Sequence, residues 1–161
     1  MVAFHNLFFQ IASGCTRSQD LPFNVLKEKI SFTEPGPRTE TGFLIIATPD
    51  DFGSTKSDAE FQESFEEILK QVDFDKSFVL LHGVGNLPDS RKIIRIYRKG
   101  DTVHVLMKSF QPGPGNYYIP GFTMPYQVSS IDKIGLWNRK IHFVFEFEES
   151  EDTVVMEHFI P

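Results

Sequence analysis

Hydrophobic and polar positions change period along this chain, and each period predicts an element. Ile141, Phe143, Phe145 and Phe147 alternate with His142, Val144, Glu146 and Glu148, the period-two pattern of a strand with one buried face. Glu149-Ser150-Glu151-Asp152 has turn composition, and residues 154–160 supply a partner strand. Ile94, Ile96 and Arg98 alternate against Arg95, Tyr97 and Lys99, and Gly100-Asp101 turns the chain into residues 103–108. Alternation and turn chemistry together predict a hairpin there. Phe78-Val79-Leu80-Leu81-His82 is apolar enough to be a central strand buried on both faces. Phe43-Leu44-Ile45-Ile46-Ala47 is a second continuous apolar strand, closed by Thr48-Pro49-Asp50-Asp51. Residues 7–12, 23–26 and 124–131 complete the predicted strands; the last is edge-like beside Pro125, since proline cannot donate to a ladder.

One segment carries helical spacing. Phe61, Phe65, Ile68, Leu69 and Val72 fall on one face, and Ser57-Asp58-Ala59-Glu60 fits a capping box that satisfies first-turn amides. A helix is therefore expected from Ser57 to Val72. Proline and glycine deny regular structure to residues 33–41, 83–88 and 111–116. The expected fold is α+β and mostly β: antiparallel sheets, as a sandwich or partly open barrel, with one amphipathic helix. No repeat or composition break divides the 161 residues, so one domain is expected over 1–161.

Composition narrows the function. The chain has 17 Phe against 4 Tyr and 1 Trp, and phenylalanine, lacking a polar handle, fills cores more readily than it performs chemistry. A formal charge of −6 repels phosphate backbones, so no nucleic-acid partner is expected. Cys15 is the single cysteine, which precludes an internal disulfide and a cysteine-based zinc site. No apolar run is long enough for a transmembrane segment. Residues 7–12 followed by Ser13-Gly14-Cys15 resemble a lipoprotein leader ending at a lipidated cysteine. No Lys or Arg precedes that run, His5 lies just ahead of it and Gln10 interrupts it. A first strand closed by a Gly14 turn is preferred, with a cytoplasmic location as encoded, over export with lipidation at Cys15.

Candidate chemistry is sparse. None of His5, His82, His104, His142 and His158 is spaced from another His or a Cys so as to place two such ligands on one face of an element. The Gly-x-Ser-x-Gly elbow of hydrolases is missing. Asp73-Phe74-Asp75 lacks the glycine and downstream glutamate of a calcium loop. Gly83-Val84-Gly85 precedes Pro88 rather than a phosphate-binding helix. No catalytic residue, metal site or cofactor is therefore expected, and the protein is read as a non-enzyme. Two alternatives stay open. One is an enzyme with a dispersed site, His82 or His104 with Asp89 or Asp101. The other is a small-ligand binder holding a lipid or sugar in a Phe-lined β cavity.

The order of motifs carries a resemblance. Phe43-Leu44-Ile45-Ile46 leads through Thr48-Pro49-Asp50-Asp51-Phe52 to the helix, then to Val72-Asp73-Phe74-Asp75-Lys76-Ser77-Phe78-Val79-Leu80. A hairpin, Gln111-Pro112-Gly113-Pro114-Gly115 and Thr123-Met124-Pro125-Tyr126-Gln127-Val128 follow. Residues 43–133 thereby resemble the PrcB-type domain of protease-complex accessory proteins. Where that family often carries a glycine pair ahead of the hairpin, this chain has Leu87-Pro88-Asp89-Ser90. The resemblance implies a non-catalytic subunit or partner of a protease. It also gives the loop a role. Pro112, Pro114, Pro120 and Pro125 fix backbone angles and reduce the entropy lost on binding, and Tyr117, Tyr118, Phe122 and Tyr126 lie among them. Aromatics on a stiff loop suit an interface anchor. Pro112, Pro114, Tyr117, Tyr118, Phe122, Pro125 and Tyr126 are therefore the expected partner-binding residues. The competing reading is that these rings cap one end of the β core.

Overall fold

In the computed structural model, the described residues are 17–30, 42–53, 59–83, 90–110 and 126–161. The period-two segments form strands: β1 (Gln19–Asp20), β2 (Phe23–Ile30), β3 (Phe43–Ile46), β4 (Ser77–Gly83), β5 (Ser90–Lys99), β6 (Thr102–Phe110), β7 (Tyr126–Asp132), β8 (Arg139–Phe147) and β9 (Thr153–Ile160). Two helices, α1 (Pro49–Gly53) and α2 (Ala59–Leu69), lie between β3 and β4. The predicted first strand at 7–12 lies outside the described residues.

The strands make a five-stranded sheet, β1-β5-β6-β8-β9, and a four-stranded sheet, β2-β7-β4-β3. The fold is mostly β, and neither sheet closes into a barrel. Pairing is antiparallel except between β6 and β8, which run parallel. Chain direction explains the exception: β6 runs out in one sheet, β7 returns in the other, and β8 comes back beside β6. A parallel pair needs such a crossover, and here a strand of the opposite sheet supplies it in place of a helix.

Facing side chains of the two sheets make the main core. Phe78, Leu80 and Ile131 from one sheet meet Val103, Val105, Phe143 and Phe145 from the other, all at most 1% exposed. Phe43 and Phe145 stack with centroids 3.9 Å apart, and Phe78 meets Phe143 edge-on at 5.6 Å. The opposite face of the four-stranded sheet carries a second core, where Ile46, Val79, Leu81 and Val128 pack with Phe52, Phe65, Ile68 and Leu69 of the helices. The order is sheet, sheet, helices. β4, with apolar neighbours on both sides, is buried on both faces as expected.

Three expectations need correction. Ile93 and Ile96 are the buried pair on β5, while Ile94 is 41% exposed. A register shift between Ile93 and Arg95 inserts one extra residue, and such a bulge flips the alternation. β7 is no edge strand; it pairs with β2 on one side and β4 on the other. Its pairing begins at Tyr126, after Pro125, so no residue within it lacks a donor. Thr48-Pro49-Asp50-Asp51 does not merely close β3 but opens α1, a second helix. Asp51 turns it, with Oδ2 accepting from the amides of Ala47 at 2.7 Å and Thr48 at 2.9 Å.

Candidate functional site

One end of the sandwich gathers most of the long connections. Ile30 pairs with Tyr126 and Tyr126 with Gly83. The Gly83 amide donates to the Gly42 carbonyl at 2.9 Å, and Ser90 pairs with Phe110. Residues 31–41, 84–89 and 111–125 therefore all start and finish at this end. The 148–152 turn joins them, because Phe147 pairs with Met107 near the end of β6. The stretch 111–125 has a further distinction. It leaves β6, third in the five-stranded sheet, and arrives at β7, inside the four-stranded sheet. Both of its roots are interior strands of different sheets, a rigid scaffold for a binding loop.

Tyr126 is the one expected anchor within the described residues. It is 5% exposed and packs in the core under the helices, and burial pushes its phenol upward from the ordinary tyrosine range. Tyr126 roots the loop and is not displayed, because the period-two turn of β7 aims it at the helices along with Val128. Pro112, Pro114, Tyr117, Tyr118, Phe122 and Pro125 lie outside the described residues.

The candidate His82 and two polar groups that the sequence did not flag sit beneath this end. His82 on β4 is opposite Gln127 on β7, and Ser129 lies two residues further along β7. Period-two geometry aims all three into the sandwich interior, and all are at most 4% exposed. His82 Nε2 lies 3.4 Å from the Arg91 carbonyl. A carbonyl only accepts, so Nε2 carries the proton and Nδ1 presents a lone pair. That Nδ1, Gln127 Oε1 and Ser129 Oγ have no hydrogen-bond partner among the described residues. Burial pushes His82 down to about 4, so its ring is neutral at ordinary pH. Above it, the Arg91 guanidinium lies 4.8 Å from the Phe147 ring centre, a cation–π contact at the mouth of the interior. Sequence singles out His82 but not Gln127 or Ser129, because their meeting depends on which strands pair.

Elsewhere each described histidine faces a carboxylate. On the outer face of the five-stranded sheet, His104 Nδ1 is 2.9 Å from Glu146 Oε1, and its ring stacks on Tyr97 at 4.7 Å, 2° from parallel. The Arg95 guanidinium lies 4.7 Å from the Tyr97 ring centre and pairs with Asp20. Burial, then the Glu146 charge, pushes the Tyr97 phenol upward. The acid facing His104 is thus Glu146 of the neighbouring strand, while Asp101 pairs with Arg139 at 2.7 Å. Asp89 lies outside the described residues. His142 faces Glu157 at 3.2 Å, and His158 faces Asp51 at 3.4 Å. Among the described residues no three His, Cys, Asp or Glu side chains gather as a metal site, and no helix is long and apolar enough to cross a membrane.

A cavity of about 460 Å³ opens under the helices, lined by Pro49, Phe52, Leu69, Val72 and Phe74 with Glu66 and Lys70 at its edge. It lies outside the sandwich interior. No family model, curated protein or solved structure matches the chain.

Proposed function

We propose that this protein is a non-catalytic binding module that docks a protein partner through the loop end of its sandwich, with a protease as the candidate partner. The observation that supports this most is the rooting of residues 111–125 in β6 and β7, interior strands of the two sheets. Such anchoring spares a loop rich in Pro and aromatic residues much of the ordering cost of binding. The resemblance of residues 43–133 to PrcB-type accessory domains points the same way. Tyr117, Tyr118 and Phe122 are the anchors in this reading, and Tyr126 is their buried root. Affinity purification from the native host with quantitative mass spectrometry tests it, comparing the natural chain with a Tyr118→Ala/Phe122→Ala double variant. A partner enriched by the natural chain and lost by a folded double variant is expected. Equal recovery by both overturns the assignment.

A second reading has the cavity under the helices as its support. Its apolar lining and size fit a small apolar ligand, with α1 and α2 as the binding elements. Titration with a medium-chain fatty acid checks this: saturable binding that a Leu69→Trp variant blocks supports it, and binding that ignores the variant removes it.

A further inference from the structure

Among the described strands, the four sheet edges are not alike. β1 contributes two exposed residues, with Asp20 held by Arg95. β2 breaks its register twice, between Val25 and Lys27 and between Lys27 and Ile30. β3 is four residues long. Short length, bulges and charges are the ordinary means by which an edge is kept from pairing with another chain. β9 is neither short nor bulged, and its one carboxylate, Glu157, is already paired with Lys140 of β8. Its eight residues keep an unbroken register with β8, from Arg139 opposite Ile160 to Glu146 opposite Thr153. Thr-Val-Val-Met-Glu-His-Phe-Ile contains no Pro, Lys or Arg. On its outer face Val155 is 60% and Phe159 55% exposed, the two most exposed large apolar side chains among the described residues. No described strand pairs with its far side.

We infer that β9 is the contact between two copies of this chain, paired antiparallel about a two-fold axis at Glu157. The sequence of the strand selects a second copy as the occupant. About Glu157 the residues balance: Val155 falls opposite Phe159 of the other copy, and Val154 opposite Ile160. β-branched and aromatic side chains opposite one another favour pairing, and a two-fold axis makes each such contact twice. Shifting the register by two in either direction sets Glu157 against Val155 or Phe159 instead, so the strand is self-complementary in one register. The charge at the axis is already compensated. Lys140 and His142 of β8 both pair with Glu157, and the Lys140 ammonium holds that carboxyl below the usual range. Two such pairs meeting at the axis bring neutral clusters together, not two bare carboxylates. The assembly would join two five-stranded sheets into one of ten strands. It lies along the side of the sandwich and does not depend on the loop-end reading.

Mass measurement by light scattering across a concentration series, on the full chain, tests the inference. The natural chain is expected at twice its 18.5 kDa mass. A Val155→Lys/Phe159→Lys variant, altered at two exposed sites, is expected at the single mass with unchanged circular dichroism. Glu157→Gln, which leaves the Lys140 ammonium of each copy uncompensated beside the axis, is expected to weaken the dimer. In a Cys15→Ser background, Glu157→Cys is expected to form a disulfide-linked dimer and Thr153→Cys is not, since its two copies stand about 27 Å apart along the strands. A natural chain that stays monomeric overturns the inference, as does a dimer untouched by the double lysine variant. Cross-linking at Thr153 in place of Glu157 overturns the register.

Discussion

His82 on β4 and Arg91 on β5 join the two sheets through a hydrogen bond of 3.4 Å from the ring Nε2 to the main-chain carbonyl. The bond holds the loop end closed at the point where the interior changes from apolar to polar. Because burial pushes His82 down to about 4, the folded protein declines a proton that the unfolded chain accepts below about 6.5. Stability is therefore fully present above pH 6.5, falls as pH drops toward 4, and levels off below that. The expected loss from this group is about 3 kcal/mol, from roughly 1.4 kcal/mol per unit. Urea unfolding at intervals between pH 7 and 4 checks it, with His82→Leu as the reference. The natural chain should lose stability more steeply than the variant across this window; parallel slopes contradict the assignment.

Lys133 ties down the opposite end. It is 2% exposed, and its Nζ donates to the carbonyl of Phe74 at 2.7 Å, to that of Ala47 at 3.3 Å and to the Pro161 oxygen at 3.5 Å. Burial pushes its ammonium downward, with the Asp75 and Asp51 charges opposing. Lys133→Met keeps the stem and removes the donor from these carbonyls. The expected destabilisation is about 3 kcal/mol, the range for losing a charged donor to buried acceptors. Thermal and urea unfolding at pH 7 measure it, and a loss under half that value contradicts the clamp.

Gly135 is placed by its backbone. Its φ is +68°, and an added Cβ would stand 2.3 Å from the Arg98 guanidinium. Arg98 Nη1 donates to the Gly135 carbonyl at 2.6 Å, so the turn and the side chain hold each other. Gly135→Ala is expected to cost about 2 kcal/mol, combining left-handed strain with displacement of the arginine. An Arg98→Ala background should reduce that cost, since the clash disappears and the strain stays. Equal costs in both backgrounds would remove the arginine from the account.

The legible part of the fold is the part set by local period. Ile141, Phe143 and Phe145 alternate in sequence and all end fully buried on β8. Phe65, Ile68 and Leu69 share a helix face for the same reason; the described helix runs Ala59–Leu69, and Ser57 and Asp58 lie outside the described residues. What period cannot supply is pairing. Nothing local makes β8 choose β6 as a parallel neighbour, or brings His82, Gln127 and Ser129 to one side of one sheet. The bulge at Ile94 shows the other limit, since Ile93, Ile94 and Ile96 are equally apolar and register alone decides which one faces water. Of the expected anchors, Tyr126 shows why an aromatic in sequence is ambiguous: the strand it opens directs its ring inward.

The docking face can be located by hydrogen exchange on the complex of the natural chain with its purified partner, compared with the chain alone. Slowed exchange across residues 111–125, with the neighbouring roots at Arg91 and Phe147, is the expected result. Unchanged exchange there, with protection confined to the helices or to the Tyr97 and His104 face, would contradict the proposal that this end of the sandwich receives the partner.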